Sequence, residues 1–250
     1  EEEYEEEKGQ KEEKDFMKEN LQDFFDRDKF VTHYHVISPK VKKQLEKLTD
    51  KPVTYIPFWV NQNLWFNIED KKFLRKKFGV TEDSFLVGSF QRDTEGIDLQ
   101  SPKLIKGPDR FVEIVSNLSR EQKSLRVILT GHRRQFVISE LKKKGIKYSY
   151  FKDVNFTQLN ELYNCLDLYI VSSRIEGGPQ AILECGITRT PIISTDVGVA
   201  SEILSSESIF SMDSFGQAQP NIEVAYKNAA KHTFNNGMKK YQNMFEEIFK

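Results

Sequence analysis

Two carboxylates set the chemistry open to this sequence. Glu176 and Glu184 stand eight positions apart in the run from Asp167 to Leu204, D-L-Y-I-V-S-S-R-I-E-G-G-P-Q-A-I-L-E-C-G-I-T-R-T-P-I-I-S-T-D-V-G-V-A-S-E-I-L. They are too far apart to work as a general acid/base couple in contact. Their spacing suits two different hydroxyl-bearing parts of one elongated ligand. Between them lie Gly177, Gly178 and Pro179. Glycines let a backbone come close to a ligand, and proline suits the first turn of a helix. Leu168 to Val171 reads as a buried parallel strand. A helix is expected from Gln180 to about Ile187, and Pro191 to Ser194 starts the next strand. Strand, glycine loop, helix, strand puts the loop at the carboxyl edge of a parallel sheet, where open α/β folds bind ligands. The unpaired N–H groups and dipole at the helix start favour an anion. The plainer alternative is an ordinary βαβ unit, with Glu176 a loop carboxylate and Glu184 on a solvated helix face.

The elements that must position this stretch alternate along the chain. Strands are expected over Phe85–Phe90, Leu125–Thr130 and Tyr148–Phe151. Helices are expected over Phe111–Leu118, Phe136–Lys144 (ended by Gly145) and from a Thr157 cap to Leu166. Short connections between alternating strands and helices give a doubly wound parallel α/β domain. Asp93 to Lys103 is a polar segment with Gly96 and Pro102 that reads as a flexible loop, a lid over the site. Upstream, Phe30 to Ser38 reads as a strand, Pro39 to about Leu48 as a helix and Val53 to Pro57 as a second strand. His33 and His35 share one strand face but lack a third metal ligand, so a packed or hydrogen-bonded role is expected. Residues 61–83 read as a linker and an amphipathic helix ending at Gly79. Residues 221–250 read as two helices broken near Asn235-Asn236-Gly237.

Composition narrows the function classes. The 250 residues suffice for one large domain, or one domain with part of another. The formal net charge of −1 comes from 37 basic and 38 acidic side chains, so no global field draws in nucleic acid. Cys165 and Cys185 form no C-x-x-C pair and read as reduced, near-core residues of a cytosolic protein. No apolar run reaches the length needed to cross a bilayer. The opening E-E-E-Y-E-E-E-K has little to bury and reads as a solvated helix or a frayed terminus. Residues 15–30 carry apolar side chains at helical spacing and should dock on something. Asp26-Arg27-Asp28 matches a D-x-D metal string, but at a helix end it reads as surface charge.

The central stretch resembles the sugar-donor segment of GT-B fold glycosyltransferases, in particular the retaining family-4 (group 1) enzymes, with their E-x7-E signature after a strand ending in Ser. The resemblance covers roughly residues 31–250 and is specific over 84–204. It implies the C-terminal half of a GT-B fold, with only the end of the N-terminal domain present. The implied division is 1–60 for a charged helical segment and the tail of the acceptor-side domain, and 61–83 for a linker and helix. Residues 84–220 would form the Rossmann-like nucleotide-sugar domain, and 221–250 the helices returning to the N-terminal domain.

The resemblance also implies roles. Glu176 would bond the donor sugar and Glu184 the ribose, with Gly177, Gly178, Pro179 and Gln180 near the sugar and diphosphate. Arg92, after the strand holding Gly88 and Ser89, and Lys106 would clamp the diphosphate, making Arg92, Lys106 and Glu176 the residues expected to carry catalysis. Gly131 and His132 lie in a loop near the diphosphate and base; His132 either faces the site or is a surface residue. Asp153 and Val154 would hold the base edge. Arg189, standing where the family has glycine, puts the usual left-handed helix end in doubt.

The implied function is retaining transfer of a sugar from a UDP- or GDP-linked nucleotide sugar to a glycan, lipid or small-molecule acceptor, as in polysaccharide biosynthesis. Neither a metal nor another cofactor is expected. The implied setting is cytoplasmic, with peripheral membrane association through the N-terminal domain. Two competing readings are a nucleotide-sugar epimerase or hydrolase on the same architecture, and a donor-binding module inactive without its N-terminal domain.

Overall fold

The computed structural model describes residues 20–250; the acidic opening and the start of the following apolar segment lie outside them. The chain runs β1 (Tyr34–Val36), α1 (Pro39–Leu45), β2 (Val53–Tyr55), α2 (Lys71–Lys77), β3 (Phe85–Ser89), α3 (Pro108–Glu121), β4 (Leu125–Thr130), α4 (Gln135–Lys143) and β5 (Tyr148–Phe151). It continues with α5 (Phe156–Cys165), β6 (Leu168–Val171), α6 (Gln180–Thr188), β7 (Ile192–Thr195), α7 (Ala200–Ile203), β8 (Ile209–Phe210), α8 (Ile222–Ala229) and α9 (Phe234–Ile248). Six strands form a sheet in the order β5-β4-β3-β6-β7-β8, every neighbouring pair parallel. The chain winds outward from β3 to β5, then crosses back to β6 and winds the other way. The crevice between the carboxyl ends of β3 and β6 is therefore the topological switch point.

Both sheet faces are covered, which explains why β6 is apolar at every position. Leu168 and Ile170 pack into the layer of α3 and α4, with Phe111, Ile114, Val137 and Leu141. Tyr169 and Val171 pack into the opposite layer, with Leu162, Leu183, Ile187 and Ala225. The stretch 61–83 belongs to this second layer. Trp65 is buried in it, and Asn160 and Asn164 of α5 bond the backbone N–H groups of Phe66 and Ile68. Buried Arg75 of α2 donates to Cys165 O, Glu82 O, Ser84 O and Asp167. Cys165 and Cys185 are free and buried.

Several local expectations are corrected. The strand expected over Phe30–Ser38 shrinks to Tyr34–Val36. Residues 20–28 are helical, and the N–H groups of Phe30 and Val31 bond back to Arg27 O and Asp28 O, leaving Phe30 exposed. Within that helix Phe24 stacks on Tyr34, while Asp26 pairs with Lys29 and Asp28 accepts from Tyr34 and Thr49. His33 bonds Thr54 Oγ1 across to β2, and His35 Nε2 lies 2.9 Å from Ile56 O. Asn155, not Thr157, caps α5, through a capping box with Gln158. The break in the C-terminal helices falls at 230–233, and Gly237 sits inside α9 because a Cβ there would lie 3.0 Å from the Trp59 ring. Arg189 keeps the left-handed end of α6 at φ 57°, its guanidinium stacked 4.0 Å over Tyr226 and paired with Glu223.

The 93–103 segment is not a free lid. Asp93 is buried against Arg134, Lys103 N–H bonds Asp93 O, and Glu95 N–H bonds Ser101 O. Its outer residues Asp98, Leu99 and Gln100 border a groove along α4 that shares no lining residue with the opening at Glu176 and Glu184. A buried ion pair at the base fixes the loop because separating it would strand a charge in the core.

Candidate functional site

An open cleft of about 300 Å³ occupies the switch point. Phe90 and Gln91, just past β3, form one wall, and Glu176, Gly178, Pro179 and the first residues of α6 form the other. Glu184 and Lys106 both line it, so the tertiary fold brings together the two carboxylates and one of the two expected cations. Lys106 ends a short 3-10 turn over Leu104–Lys106 and forms an ion pair with Glu176. That turn is held by Gly107, at φ 61°, where a Cβ would lie 1.9 Å from Ser172 O. Ser172 Oγ donates back to Gly107 O (2.8 Å).

Glu184 is the deep carboxylate. It sits on α6 under the aromatic wall, where Tyr163 Oη donates to its Oε2 at 2.7 Å. Burial pushes its carboxyl up to about 7, with the Tyr163 hydrogen bond acting in the opposite sense. Burial likewise raises the Tyr163 hydroxyl well above the usual phenol range. Phe90 packs on Tyr163 and Tyr169 at centroid distances of 4.8 and 5.3 Å, giving the cleft an apolar floor. Pro179 caps α6 without a side-chain hydrogen bond, leaving first-turn N–H groups uncapped where Gln180 and Ala181 line the cleft.

The loop glycines have a reason that spacing did not reveal. A Cβ on Gly177 would lie 3.1 Å from Ile37, and one on Gly178 would lie 3.3 Å from Phe58. Their close approach is to the upstream part of the chain. Gly198 completes the fit at φ 54°, where a Cβ would lie 2.8 Å from Gly177 O. Gln180 Nε2 donates to Trp59 O, tying α6 to the same upstream segment. On the other face of this loop a second opening of about 270 Å³ lies between Glu176, Gly177, Gly198 and the α1 residues Lys40 and Gln44.

Other expected residues lie elsewhere. Arg92 is exposed, its Nε donating to Thr94 O at 2.9 Å, and Gln91 takes the place on the cleft wall. Gly88 packs under Leu166, where a Cβ would meet Cδ1 at 2.3 Å, and the Ser89 carbonyl accepts from buried Arg134. Gly131 O accepts from Tyr150 Oη. His132 and Asp153 lie 3.1 Å apart on the exposed ends beyond β4 and β5, and Val154 packs against the core. The cleft also uses Gln91, Tyr163 and Phe90, which spacing alone did not single out. Among the described residues no cluster of three His, Cys, Asp or Glu is arranged to hold a metal ion, and no helix is long and apolar enough to cross a membrane.

Residues 101–223 match the family model described as glycosyl transferases group 1. No curated protein sequence matches the chain. Among solved structures, HepE from Anabaena in complex with UDP and glucose superposes with a TM-score of 0.72 at 15% identity, over 92% of this chain and 66% of that one. A glycosyltransferase from Rickettsia africae gives 0.71 at 17%, over 90% and 67%. Sucrose-phosphate synthase from Thermosynechococcus elongatus gives 0.71 at 14%, over 87% and 58%. The chain thus spans about three fifths to two thirds of the length of these proteins. Residues 101–223 are thus similar to the group 1 glycosyl transferases, and the chain carries a GT-B glycosyltransferase fold.

Proposed function

We propose that the chain binds a nucleoside-diphosphate sugar in the switch-point cleft and takes part in retaining transfer of the sugar to an acceptor. One observation carries the reading: Glu184, Lys106 and Glu176 line a single cleft that runs past the start of α6. Glu184 is the proposed ribose ligand at the deep end, and Lys106 with the α6 N-terminus the proposed diphosphate site. Glu176 is the proposed sugar ligand. A leaving diphosphate gains negative charge as the glycosidic bond breaks, and a fixed cation and helix dipole stabilise that charge without reorganising. Arg92 would contribute only by swinging away from Thr94 O. Gly131, His132, Asp153 and Val154 are proposed to border the base from the loops beyond β4 and β5. The acceptor is proposed to reach Glu176 through the second opening beside Lys40 and Gln44. The four-part division at 60/61, 83/84 and 220/221 is retained as a proposal, as are a cytoplasmic, membrane-peripheral setting and a role in polysaccharide biosynthesis.

Uridine is the favoured base, because HepE, a structural neighbour, has been solved with UDP and with UDP-glucose. A thermal-shift panel of UDP, GDP and ADP with their glucose or mannose conjugates tests the reading. Stabilisation grows with ligand excess over its dissociation constant, so one base should raise the melting temperature and the others should not. No shift with any nucleotide would remove the proposal.

A further inference from the structure

Ser173, just past β6, is fully buried behind three residues that line the cleft, Gln91, Lys106 and Glu176. Its Oγ lies 3.1 Å from Glu176 Oε1, 3.2 Å from Gln91 Oε1 and 3.4 Å from Lys106 O. All three are acceptors, and a serine hydroxyl has one proton, so it can satisfy one of them at a time. Two of the three, Lys106 O and Glu176, have other donors. Gln91 Nε2 donates to Lys106 O at 2.8 Å, and Lys106 Nζ pairs with Glu176. The Ser173 backbone is fixed in turn, since Thr195 Oγ1 donates to Ser173 O at 2.7 Å. The hydroxyl is therefore a rotor on a rigid mount among three acceptors.

Lys106 neutralises Glu176 in the ion pair. On the reading proposed above, a bound nucleotide sugar draws Lys106 to its diphosphate and leaves Glu176 to meet the sugar. Glu176, its side chain only 11% exposed, would then lose its charge partner in a poorly solvated place. Such a carboxylate needs a replacement hydrogen-bond donor or it costs affinity. We propose that Ser173 is the positioning residue for Glu176: its O–H turns from Gln91 to Glu176 when Lys106 moves to the diphosphate, holding the carboxylate aimed at the sugar.

The test is a double-mutant cycle read by calorimetry with UDP and UDP-glucose, or the corresponding guanosine pair if the panel selects it. The quantity is the gain in affinity that the sugar brings over the bare diphosphate. Ser173→Ala should cut this gain about tenfold while moving the bare diphosphate by less than twofold. Ser173→Cys, close in size with a weaker hydrogen-bond donor, should fall in between, and it carries the cycle if the alanine variant does not fold. In a Glu176→Gln background, either Ser173 change should cost less than twofold, because the carboxylate it serves is gone. A purely structural role predicts equal losses in both backgrounds and for both ligands, and that result would overturn the assignment. If no nucleoside diphosphate binds the unmodified protein, the reading of the cleft falls and this inference with it.

Discussion

At the scale of single residues, Glu184 shows how burial converts a sequence motif into a titrating group. Its carboxyl, raised from the ordinary 4.5 to about 7 by burial, keeps a proton where the unfolded chain has lost one. The native state therefore binds more protons between these values. The contribution of Glu184 to stability is full below about 4.5, falls as pH rises and is gone above about 7. The change across that window is about 3 kcal/mol by linkage. Urea denaturation at pH 5, 6 and 7 should show a falling stability that Glu184→Gln flattens; an equal slope in the variant would remove Glu184 as the source. The two glutamates also make a paired prediction. Glu176→Gln should spare the bare diphosphate and weaken the sugar-bearing form by about 1.5–3 kcal/mol, the cost of a lost hydrogen bond to a charged group, whereas Glu184→Gln should weaken both ligands alike. Equal loss of both ligands in Glu176→Gln would show that the loop carboxylate is not a sugar ligand.

At the scale of elements, the cleft depends on turns that only glycine or a buried ion pair can hold. Gly198→Ala forces a side chain into φ 54° and into Gly177 O at 2.8 Å. The variant should lose at least about 1–2 kcal/mol of stability and weaken nucleotide binding through the displaced 176–178 loop. Thermal melts and calorimetry on the same sample check both parts. The 93–103 excursion makes the opposite prediction for its two ends. Asp93→Ala strands Arg134, which is 1% exposed, and should cost about 3–5 kcal/mol. Replacing 95–101 by a short glycine linker should leave stability and the nucleotide off-rate nearly unchanged, since those residues border α4 rather than the cleft. A faster off-rate in stopped flow would restore the lid.

At the scale of the whole molecule, the upstream segment and α9 meet through a few aromatic contacts. Trp59 packs edge-on against Phe234 and Tyr241, and Tyr241 packs on His35. Val60 bridges Thr233 by parallel backbone hydrogen bonds, and Tyr55 Oη donates to Glu202 at 2.6 Å. Trp59→Ala should loosen α9 selectively. Hydrogen exchange should quicken at least about tenfold across 234–248 while β3 to β7 keep their protection, because local opening follows local contact density. Uniform loss of protection would mean that α9 and the sheet unfold as one unit.

The order of the sheet elements was legible in the sequence because parallel strands buried on both faces must be short apolar runs between amphipathic helices. Leu125–Thr130 and Tyr148–Phe151 form strands with those same bounds, and the strand, loop and helix around Glu176 and Glu184 were readable for the same reason. Short-range chemistry at element ends was less legible. Phe30 looked like a strand residue until the turn closing residues 20–28 claimed its N–H, and Arg189 looked unfit for a left-handed cap that Tyr226 and Glu223 make tolerable. What only the tertiary structure decided is which distant residues share the cleft. Strand order put Gln91 beside Lys106 and Ser173, set Tyr163 against Glu184, and turned Arg92 outward. The glycine loop owes its close approach to Ile37 and Phe58, more than 115 positions upstream. Patterning encodes how each segment meets water and core, whereas partners so far apart in sequence are fixed only when the sheet assembles and the layers close over it.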